Sequence, residues 1–254
     1  MVLEDELQTI TKSASINMIL TAQQPAYLPW IGLFHKISLA DSFCYMDDVQ
    51  YQVNDFNNRN KIKGPNGAFW LTVPIYRKDH LNLKIKETKI VDNQPWQSKH
   101  WKSLLSCYSK APFFSLYADF LEDVYQRDWT YLSDLNDHCM KFFLDMLDIK
   151  VEYHKMSNLN ILTKKSDLVL DMCLKLNAST FIFGKLGRDY ADTSKFEDSN
   201  IKVVFQDYYH PKYSQLFGEF ESHLSIIDLL FNCGPNSMEV LMSGNLTRNK
   251  IIGS

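Results

Sequence analysis

The sequence predicts an α/β protein with a Rossmann-like β-α-β core, to which a β-hairpin and a helical insertion are added. Three observations indicate this class. Short apolar runs alternate with helical periodicity at both ends of the chain, helical periodicity fills about residues 96–148, and a turn separates two alternating segments before them. The 254 residues contain no internal repeat, so we expect one domain over residues 18–254 behind an extension, residues 1–17.

The first β-α-β unit is predicted near the start of the chain. Met18–Ala22 is a short apolar run typical of a strand, and Gln23–Pro29 is a loop punctuated by prolines. Four apolar residues then recur at helical spacing: Trp30, Leu33, Phe34 and Ile37. Ser42–Met46 is predicted to be the second strand. Because a helix connects the two strands, we expect them to be parallel neighbours.

The next segment is predicted to form a β-hairpin. Asn57–Lys63 and Ala68–Ile75 flank the turn residues 64–67, and a further strand is predicted over Leu83–Val91. The helical insertion is predicted to comprise three helices: Trp96–Tyr108, Phe114–Tyr125 and Tyr131–Leu147.

After the insertion, strands and helices alternate again, as a parallel sheet requires. Strands are predicted at Lys150–His154, Thr180–Phe183 and Lys202–Gln206. Helices are predicted at Lys165–Leu176 and Ser222–Phe231.

Glycine is scarce and aromatic residues are abundant, which excludes several enzyme classes. The chain has 9 Gly against 5 Trp, 13 Tyr and 16 Phe. No glycines are spaced as G-x-G, none precedes a Lys-Ser or Lys-Thr pair, and none forms G-x-S-x-G. The dinucleotide fingerprint, the P-loop and the nucleophile elbow are therefore absent. We therefore expect a bound phosphate to be held by side chains such as Arg59 and Lys61.

The spacing of cysteine and histidine argues against a disulfide framework and a metal site. The 5 Cys lie far apart without a C-x-x-C pair, which indicates reduced thiols in the cytoplasm. The histidines lack zinc-binding spacing, so we expect no metal and no bound cofactor. Residues 1–17 lack the features of a signal peptide, and no apolar run reaches the ~20 residues of a membrane span. We expect a cytoplasmic protein without membrane insertion.

Polar residues follow the first two predicted strands. Open α/β sheets bind ligands beyond the carboxyl ends of their strands. We therefore take Gln24 and Tyr27 in the first loop, and Gln50 after the second strand, as substrate-binding candidates. Asp47 and Asp48 end the second strand, and either could be a general base or hold a sugar hydroxyl. A capped turn is the alternative for this pair.

The hairpin carries a concentration of positive charge. From Arg59 to Lys89 there are eight basic and two acidic residues, whereas residues 119–137 carry six acidic residues and one basic. The net charge of the chain is −3, which gives no global field for nucleic acid. Strand alternation places Asn58 on the face opposite Arg59 and Lys61. These two cations could grip a diphosphate while Asn58 donates a hydrogen bond, and an exposed edge strand is the alternative.

The segment after the last predicted strand is rich in aromatic residues. His210 could take a proton from an attacking amine, while Tyr209 and Gln215 could form a wall for a sugar or base. A structural histidine is the alternative. Asp228 lies in an apolar helix, so we expect it to hold a structural partner such as an Arg or a Tyr hydroxyl. Residues 183–190, with two glycines and two cations, could form a small anion nest.

Six motifs together resemble the WbqC-like family of bacterial proteins. In chain order they are Gln24-Pro-x-Tyr-Leu-Pro-Trp-x-Gly, Asp47-Asp-Val-Gln-Tyr51, Asn58-Arg-Asn60, Trp70-Leu-Thr-Val-Pro74, His210-Pro-x-Tyr-x-Gln215 and Ser225-Ile-Ile-Asp-Leu-Leu-Phe-Asn232. The resemblance runs from about Met18 to Asn236 and leaves residues 1–17 outside it.

The resemblance implies a cytoplasmic protein of bacterial surface-polysaccharide gene clusters, such as those for O-antigen. Such clusters handle nucleotide-linked amino sugars that are decorated through an amide. We therefore expect a transferase that moves an acyl or aminoacyl (for example glycyl) group onto the sugar amine, with His210 or Asp48 as the base. Its partners would be the nucleotide-linked amino sugar and an activated donor, which could be a tRNA, a carrier protein or a thioester. The sequence leaves open whether the protein forms a homodimer.

Two alternative functions remain. The first unit also resembles the adenylyl-transferring superfamily with an H-x-G-H signature, which would make the protein an ATP-dependent acid-activating enzyme. Gly32 matches that signature, but Trp30 and Leu33 stand where its two histidines belong. A non-catalytic carbohydrate-binding protein also fits the aromatic content.

Overall fold

The structure is a computed structural model that describes residues 17–76 and 83–253. Residues 1–16 of the predicted extension therefore lie outside the described residues. The described strands are β1 (Ile19–Gln23), β2 (Ser42–Tyr45), β3 (Arg59–Gly64), β4 (Gly67–Thr72), β5 (Glu152–Lys155), β6 (Thr180–Phe183) and β7 (Lys202–Phe205). The described α-helices are α1 (Ile31–Ser38), α2 (Trp96–Tyr108), α3 (Ser115–Gln126), α4 (Leu132–Met146), α5 (Ser166–Lys175), α6 (Thr193–Asp198), α7 (Ile226–Cys233), α8 (Ser237–Met242) and α9 (Arg248–Ile252).

The central sheet has five strands in the order β5-β2-β1-β6-β7, and every neighbouring pair is parallel. Strands β2 and β6 are buried along their whole length. Near-continuous apolar strands are typical of parallel sheets covered on both faces. The predicted α/β class and the parallel pairing of the first two strands are confirmed.

Alternate residues of the sheet face two different layers of helices. Phe43 and Tyr45 of β2 belong to the main core, which includes buried residues of α1, α7 and the helical insertion. Cys44 of β2 and Leu20 of β1 point to the other face, where they pack with residues of α5 and α6. The insertion therefore covers one face of the sheet.

The hairpin is confirmed, and its strands are shorter than predicted. Strand β3 pairs with β4 from Arg59 opposite Thr72 to Gly64 opposite Gly67. Gly67 has a φ of +102°, a backbone conformation that favours glycine, so this residue permits the tight turn. The alternation of the two faces is also confirmed, because Asn60 is buried while Arg59 and Lys61 are only half-buried.

One predicted strand and one predicted helix start are wrong. Residues 83–91 form a short 3₁₀ turn (Ile85–Glu87) rather than a strand, because the Glu87 carboxylate accepts a hydrogen bond from the backbone N–H of Lys84 and closes a turn. The helix predicted from residue 222 begins at Ile226, since the hydroxyl of Ser225 caps it and His223 has a φ of +60°. Within the described residues, no helix is long and apolar enough to cross a membrane.

Candidate functional site

The chain changes direction across the sheet between β1 and β6, because β1 leads to β2 on one side while β6 and β7 lie on the other. Open parallel sheets bind ligands at the carboxyl ends of their strands at such a point. A cavity of about 210 Å³ lies there and is called the switch-point cavity below. It is lined by Gln23, Trp30, Gly32, Leu33, Lys36, Gly184, Lys185, Gln206, Tyr208 and His223. The volume is below the ~300 Å³ of a small ligand pocket, so the cavity fits one part of a larger ligand.

Lys36 of α1 is a buried cation beside this cavity. Its side chain is 4% exposed, and its Nζ donates to the carbonyl oxygen of Ala22 and to Oε1 of Gln23, each at 2.9 Å. Neither acceptor is charged, and Lys36 forms no ion pair with a carboxylate of the described residues. Burial lowers the pKa of Lys36 to about 8. A buried ammonium held by neutral oxygens is suited to an anionic ligand.

The amino-terminal turn of α1 adds to this positive potential. Gly32 and Leu33 lie in that turn and line the cavity. The residue before the helix, Trp30, provides no side-chain hydrogen bond to the first turn. The partial positive charge of the helix start is therefore directed toward the cavity, on the same side as Lys36.

Three aromatic rings form one wall of the cavity. The indole of Trp30 stacks on the imidazole of His223 at 5.6 Å between ring centroids, with an interplanar angle of 15°. Tyr208 contacts Trp30 edge to face at 5.6 Å. The indole covers the backbone of Gly32 so closely that a Cβ atom there would overlap it. Such a wall suits a nucleobase or the apolar face of a sugar.

A hydrogen-bonded chain holds the floor of the cavity in place. The amide nitrogen of Gln206 lies 2.8 Å from the carbonyl oxygen of Gly32 and 2.7 Å from Nδ1 of His35. The other ring nitrogen of His35 lies 2.9 Å from the carbonyl oxygen of Leu246. His35 therefore accepts at Nδ1 and donates at Nε2, and the end of β7 is fixed to α1.

A larger depression of about 520 Å³ lies at the amino ends of the strands. Its lining includes Asp41, which precedes β2, and Glu152, the first residue of β5. Lys141 in this depression is already paired with Asp137 at 2.9 Å. Parallel sheets bind ligands at the carboxyl ends of their strands, so we place the candidate site in the switch-point cavity.

The predicted residues of the first loop lie outside this cavity. Gln24 is half-buried and does not line it, whereas the preceding residue, Gln23, does. Tyr27 is fully buried, and its hydroxyl lies 2.9 Å from Nδ1 of His100 and 2.6 Å from the hydroxyl of Tyr125. Tyr27 therefore belongs to a polar contact inside the core. Trp30, the first of the four apolar residues at helical spacing, is half-buried and forms part of the cavity wall.

Asp47 and Gln50 hold turns at the end of β2. The carboxylate of Asp47 accepts hydrogen bonds from the backbone N–H and the hydroxyl of Ser157, at 2.9 and 2.7 Å. Asp47 therefore ties β2 to the turn that follows β5. Gln50 is exposed and forms an isolated β-bridge with Lys84.

Asp48 is neutralised by two lysines. Its carboxylate lies 2.7 Å from Nζ of Lys84 and 2.5 Å from Nζ of Lys86. Burial alone would raise the pKa of Asp48, but the hydrogen bonds to the two lysines outweigh it and lower the pKa below its ordinary value. A carboxylate held in its charged form is a weak general base near neutral pH.

The predicted hairpin residues separate onto two faces. Asn58 is buried, accepts a hydrogen bond from the hydroxyl of Tyr51 at 3.0 Å and donates to the carbonyl oxygen of Val73 at 2.8 Å. Arg59 and Lys61 lie on the outer face, over the ring of Trp70. None of the three lines the switch-point cavity.

Tyr209 and His210 lie next to the cavity without lining it. Tyr209 is 65% exposed, and its backbone is held by the side chain of Asn245. His210 donates from Nδ1 to the carbonyl oxygen of Pro211 at 3.0 Å, and its ring lies 5.3 Å from that of His223. Burial lowers the pKa of His210 below its ordinary value. His210 is therefore a neutral ring behind the cavity wall.

Gln215 belongs to a buried network around Asp228. The carboxylate of Asp228 accepts from the hydroxyls of Tyr108 and Tyr213 at 2.9 and 2.8 Å, and from the amide of Gln215 at 2.8 Å. The amide oxygen of Gln215 accepts from Nζ of Lys63 at 3.1 Å. The structural partners expected for Asp228 are therefore confirmed, and they tie α7 to α2 and to the loop after β7.

The comparisons with known proteins agree with the motifs. The model of the WbqC-like protein family matches residues 24–240. The chain belongs to the WbqC-like protein family. A curated relative from Mycobacterium tuberculosis, the uncharacterized protein Rv1507c, is 34% identical over 220 residues, which cover 86% of this chain and 95% of the relative.

The WbqC-like match includes nearly all of the switch-point cavity. The cavity residues from Trp30 to His223 fall inside residues 24–240, and Gln23 lies one position before them. The two positions where the H-x-G-H superfamily carries histidine are Trp30 and Leu33, and both line the cavity.

Proposed function

We propose that this WbqC-like protein is a transferase of bacterial surface-polysaccharide assembly that forms an amide on the amine of a nucleotide-linked amino sugar. The surface-polysaccharide setting is what the resemblance to the WbqC-like family implies. The observation that carries the site is Lys36, a buried ammonium without a carboxylate partner among the described residues, at the switch point of the sheet. A diphosphate is the group of such a substrate that this cation and the start of α1 would hold.

The aromatic wall supports the same substrate class. The edge of Trp30 and the ring of Tyr208 lie beside the cation, so a sugar or base linked to the diphosphate can pack against them. The small cavity would take the diphosphate and its adjoining group, while the remainder extends across the exposed side chain of His223.

The reaction needs a base close to the amine. The amine nitrogen attacks the carbonyl carbon of the activated acyl donor, a C–N bond forms, and the bond from that carbon to the donor's leaving group breaks. The attacking nitrogen gives up one proton. His223 lines the cavity and is the base that the geometry favours, with the tilted ring of His210 5.3 Å behind it as a positioning residue.

Mass spectrometry tests this proposal. The protein is incubated with nucleotide-linked amino sugars and a pool of activated acyl and aminoacyl donors. A mass gain on the sugar equal to one acyl group is expected, and a Lys36→Met variant should abolish it. Unmodified sugar with every donor, in the presence of measurable sugar binding, would show a binding protein instead.

A second candidate is an ATP-dependent acid-activating enzyme, because the cavity lies where a nucleotide-transferring relative of this fold would bind ATP. It predicts pyrophosphate release from ATP and Mg²⁺ in the presence of a carboxylic acid. Trp30 and Leu33 count against it, since leucine has no hydrogen-bond donor and the indole of tryptophan has one neutral N–H, so neither can supply the charged imidazolium that a histidine can place beside a phosphate.

A further inference from the structure

The outer face of the hairpin carries a second group of residues suited to a ligand. It consists of Phe56, Arg59, Lys61 and Trp70 and is called the hairpin platform below. Lys61 lies directly opposite Trp70 in the β3–β4 register, and Arg59 is two residues away on the same face. Trp70 is 39% and Phe56 45% exposed, and their rings lie 5.8 Å apart.

Two cations rest on the exposed indole. The guanidinium carbon of Arg59 lies 4.4 Å from the centroid of Trp70, and Nζ of Lys61 lies 5.2 Å from it. Arg59 also donates to the carbonyl oxygen of Asn54, while its Nε is buried and has no hydrogen-bond partner among the described residues. Neither cation forms an ion pair with a described carboxylate.

The neighbouring lysines differ in this respect. Lys84 and Lys86 are bound by Asp48, and Lys63 is buried against Gln215. Asp48 thus offsets part of the charge of Lys84 and Lys86, whereas the two cations next to Trp70 face no described carboxylate. An exposed aromatic ring flanked by unneutralised cations offers stacking and phosphate contacts together.

We propose that the hairpin platform binds single-stranded nucleic acid, with a base taking the place of the Arg59 guanidinium on the ring of Trp70 and with Arg59 and Lys61 then holding the adjoining phosphates. A duplex keeps its bases stacked on one another, so it could use only the two cations. A neutral oligosaccharide could use only the rings. The combination of ring and cation therefore suits a strand with unpaired bases and phosphates.

The platform lies near the switch-point cavity. The backbone N–H of Ser225 donates to the carbonyl oxygen of Lys61 at 2.9 Å, and Ser225 also forms a β-bridge with Trp30. Two strand spacings, about 10 Å, therefore separate the backbone of the platform from that of the cavity wall. The proposal goes beyond the proposed transferase function and does not depend on it.

Fluorescence anisotropy with a labelled single-stranded RNA of about 10 nucleotides tests the proposal. Trp70→Ala is expected to weaken binding about 5- to 100-fold, because stacking of one base is lost. Trp70→Phe should recover part of the affinity. Lys61→Ala should reduce the slope of log affinity against log salt by about 0.7, since one phosphate contact is lost. Circular dichroism confirms that each variant is folded.

Matched controls keep the result specific. Tyr190→Ala removes another exposed ring and Lys110→Ala another exposed cation, and both should bind the RNA like the wild type. Lys36→Met should also keep RNA binding, which separates this site from the cavity. Four results would each overturn the proposal: no RNA binding at low salt, unchanged binding by Trp70→Ala, equal affinity for a duplex of the same length, or displacement of the RNA by maltohexaose.

Discussion

Nζ of Lys36 lies 2.9 Å from Oε1 of Gln23, and both side chains line a cavity at the carboxyl ends of the parallel strands. The contact pairs a buried cation with a neutral amide. In most buried sites a lysine would be paired with a carboxylate. Here the positive charge stays available, and this makes the cavity a candidate anion site.

Replacing Lys36 should separate stability from ligand binding. Lys36→Met removes a charge whose burial is costly and keeps the apolar stem, so the melting temperature is expected to stay level or rise. Binding of UDP-N-acetylglucosamine, measured by calorimetry, should weaken about 10- to 100-fold because a charge-assisted hydrogen bond is lost. The exposed Lys110→Met is the control. Equal affinity of Lys36→Met and wild type would place the ligand elsewhere.

The affinity for an anion should depend on pH through Lys36. Burial lowers its pKa to about 8 in the free protein, and a bound anion raises that pKa again. Binding should therefore be nearly independent of pH below about 7 and fall above about pH 8, by up to tenfold per unit. Lys36→Arg keeps its charge and also reports any titration of the ligand itself. Parallel pH profiles for Lys36→Arg and the wild type would contradict the assignment.

Gly32 should be needed for the aromatic wall. A Cβ at this position would overlap the indole of Trp30, which must then leave its stack on His223. Gly32→Ala should lower the melting temperature although alanine is the better helix former by about 1 kcal/mol. Gly184→Ala adds the same methyl group to the cavity lining, where nothing lies within 4 Å, and serves as the control. If both variants melt like the wild type, the indole does not depend on Gly32.

His223 should carry the proton transfer if the transferase proposal holds. His223→Gln is expected to reduce turnover about 10²- to 10⁴-fold with little change in sugar affinity. His210→Gln should have a smaller effect, because His210 contacts the ring of His223 and does not line the cavity. Turnover of both variants with the mass-spectrometric readout distinguishes the roles. A larger loss of turnover for His210→Gln than for His223→Gln would indicate that His210 is the base.

The sheet and the helices were predictable because their patterns are local. The apolar runs of β1, β2 and β6 and the helical spacing of α2 match the observed bounds closely. The extended prediction over residues 83–91 failed because a hydrogen bond from Lys84 to Glu87 closes a turn there. Such local side-chain competition is not visible in hydrophobic periodicity.

The candidate site was less predictable because it is assembled from distant segments. The sequence predicts site residues directly after β1, and the candidate cavity is lined there by Gln23 rather than Gln24. Lys36 had a readable signal, since a lysine in an apolar helix between two buried strands is as unusual as Asp228 in its own helix. His223 had no such signal in the sequence, because its left-handed backbone lies where the sequence predicts a helix.

A structure of the protein with a bound nucleotide-linked amino sugar tests the central claim most directly. The account predicts the diphosphate within hydrogen-bonding distance of Nζ of Lys36, with a ring of the ligand against Trp30. A ligand bound at the Asp47 and Asp48 turn or on the outer face of the hairpin, with the switch-point cavity left to solvent, would contradict it.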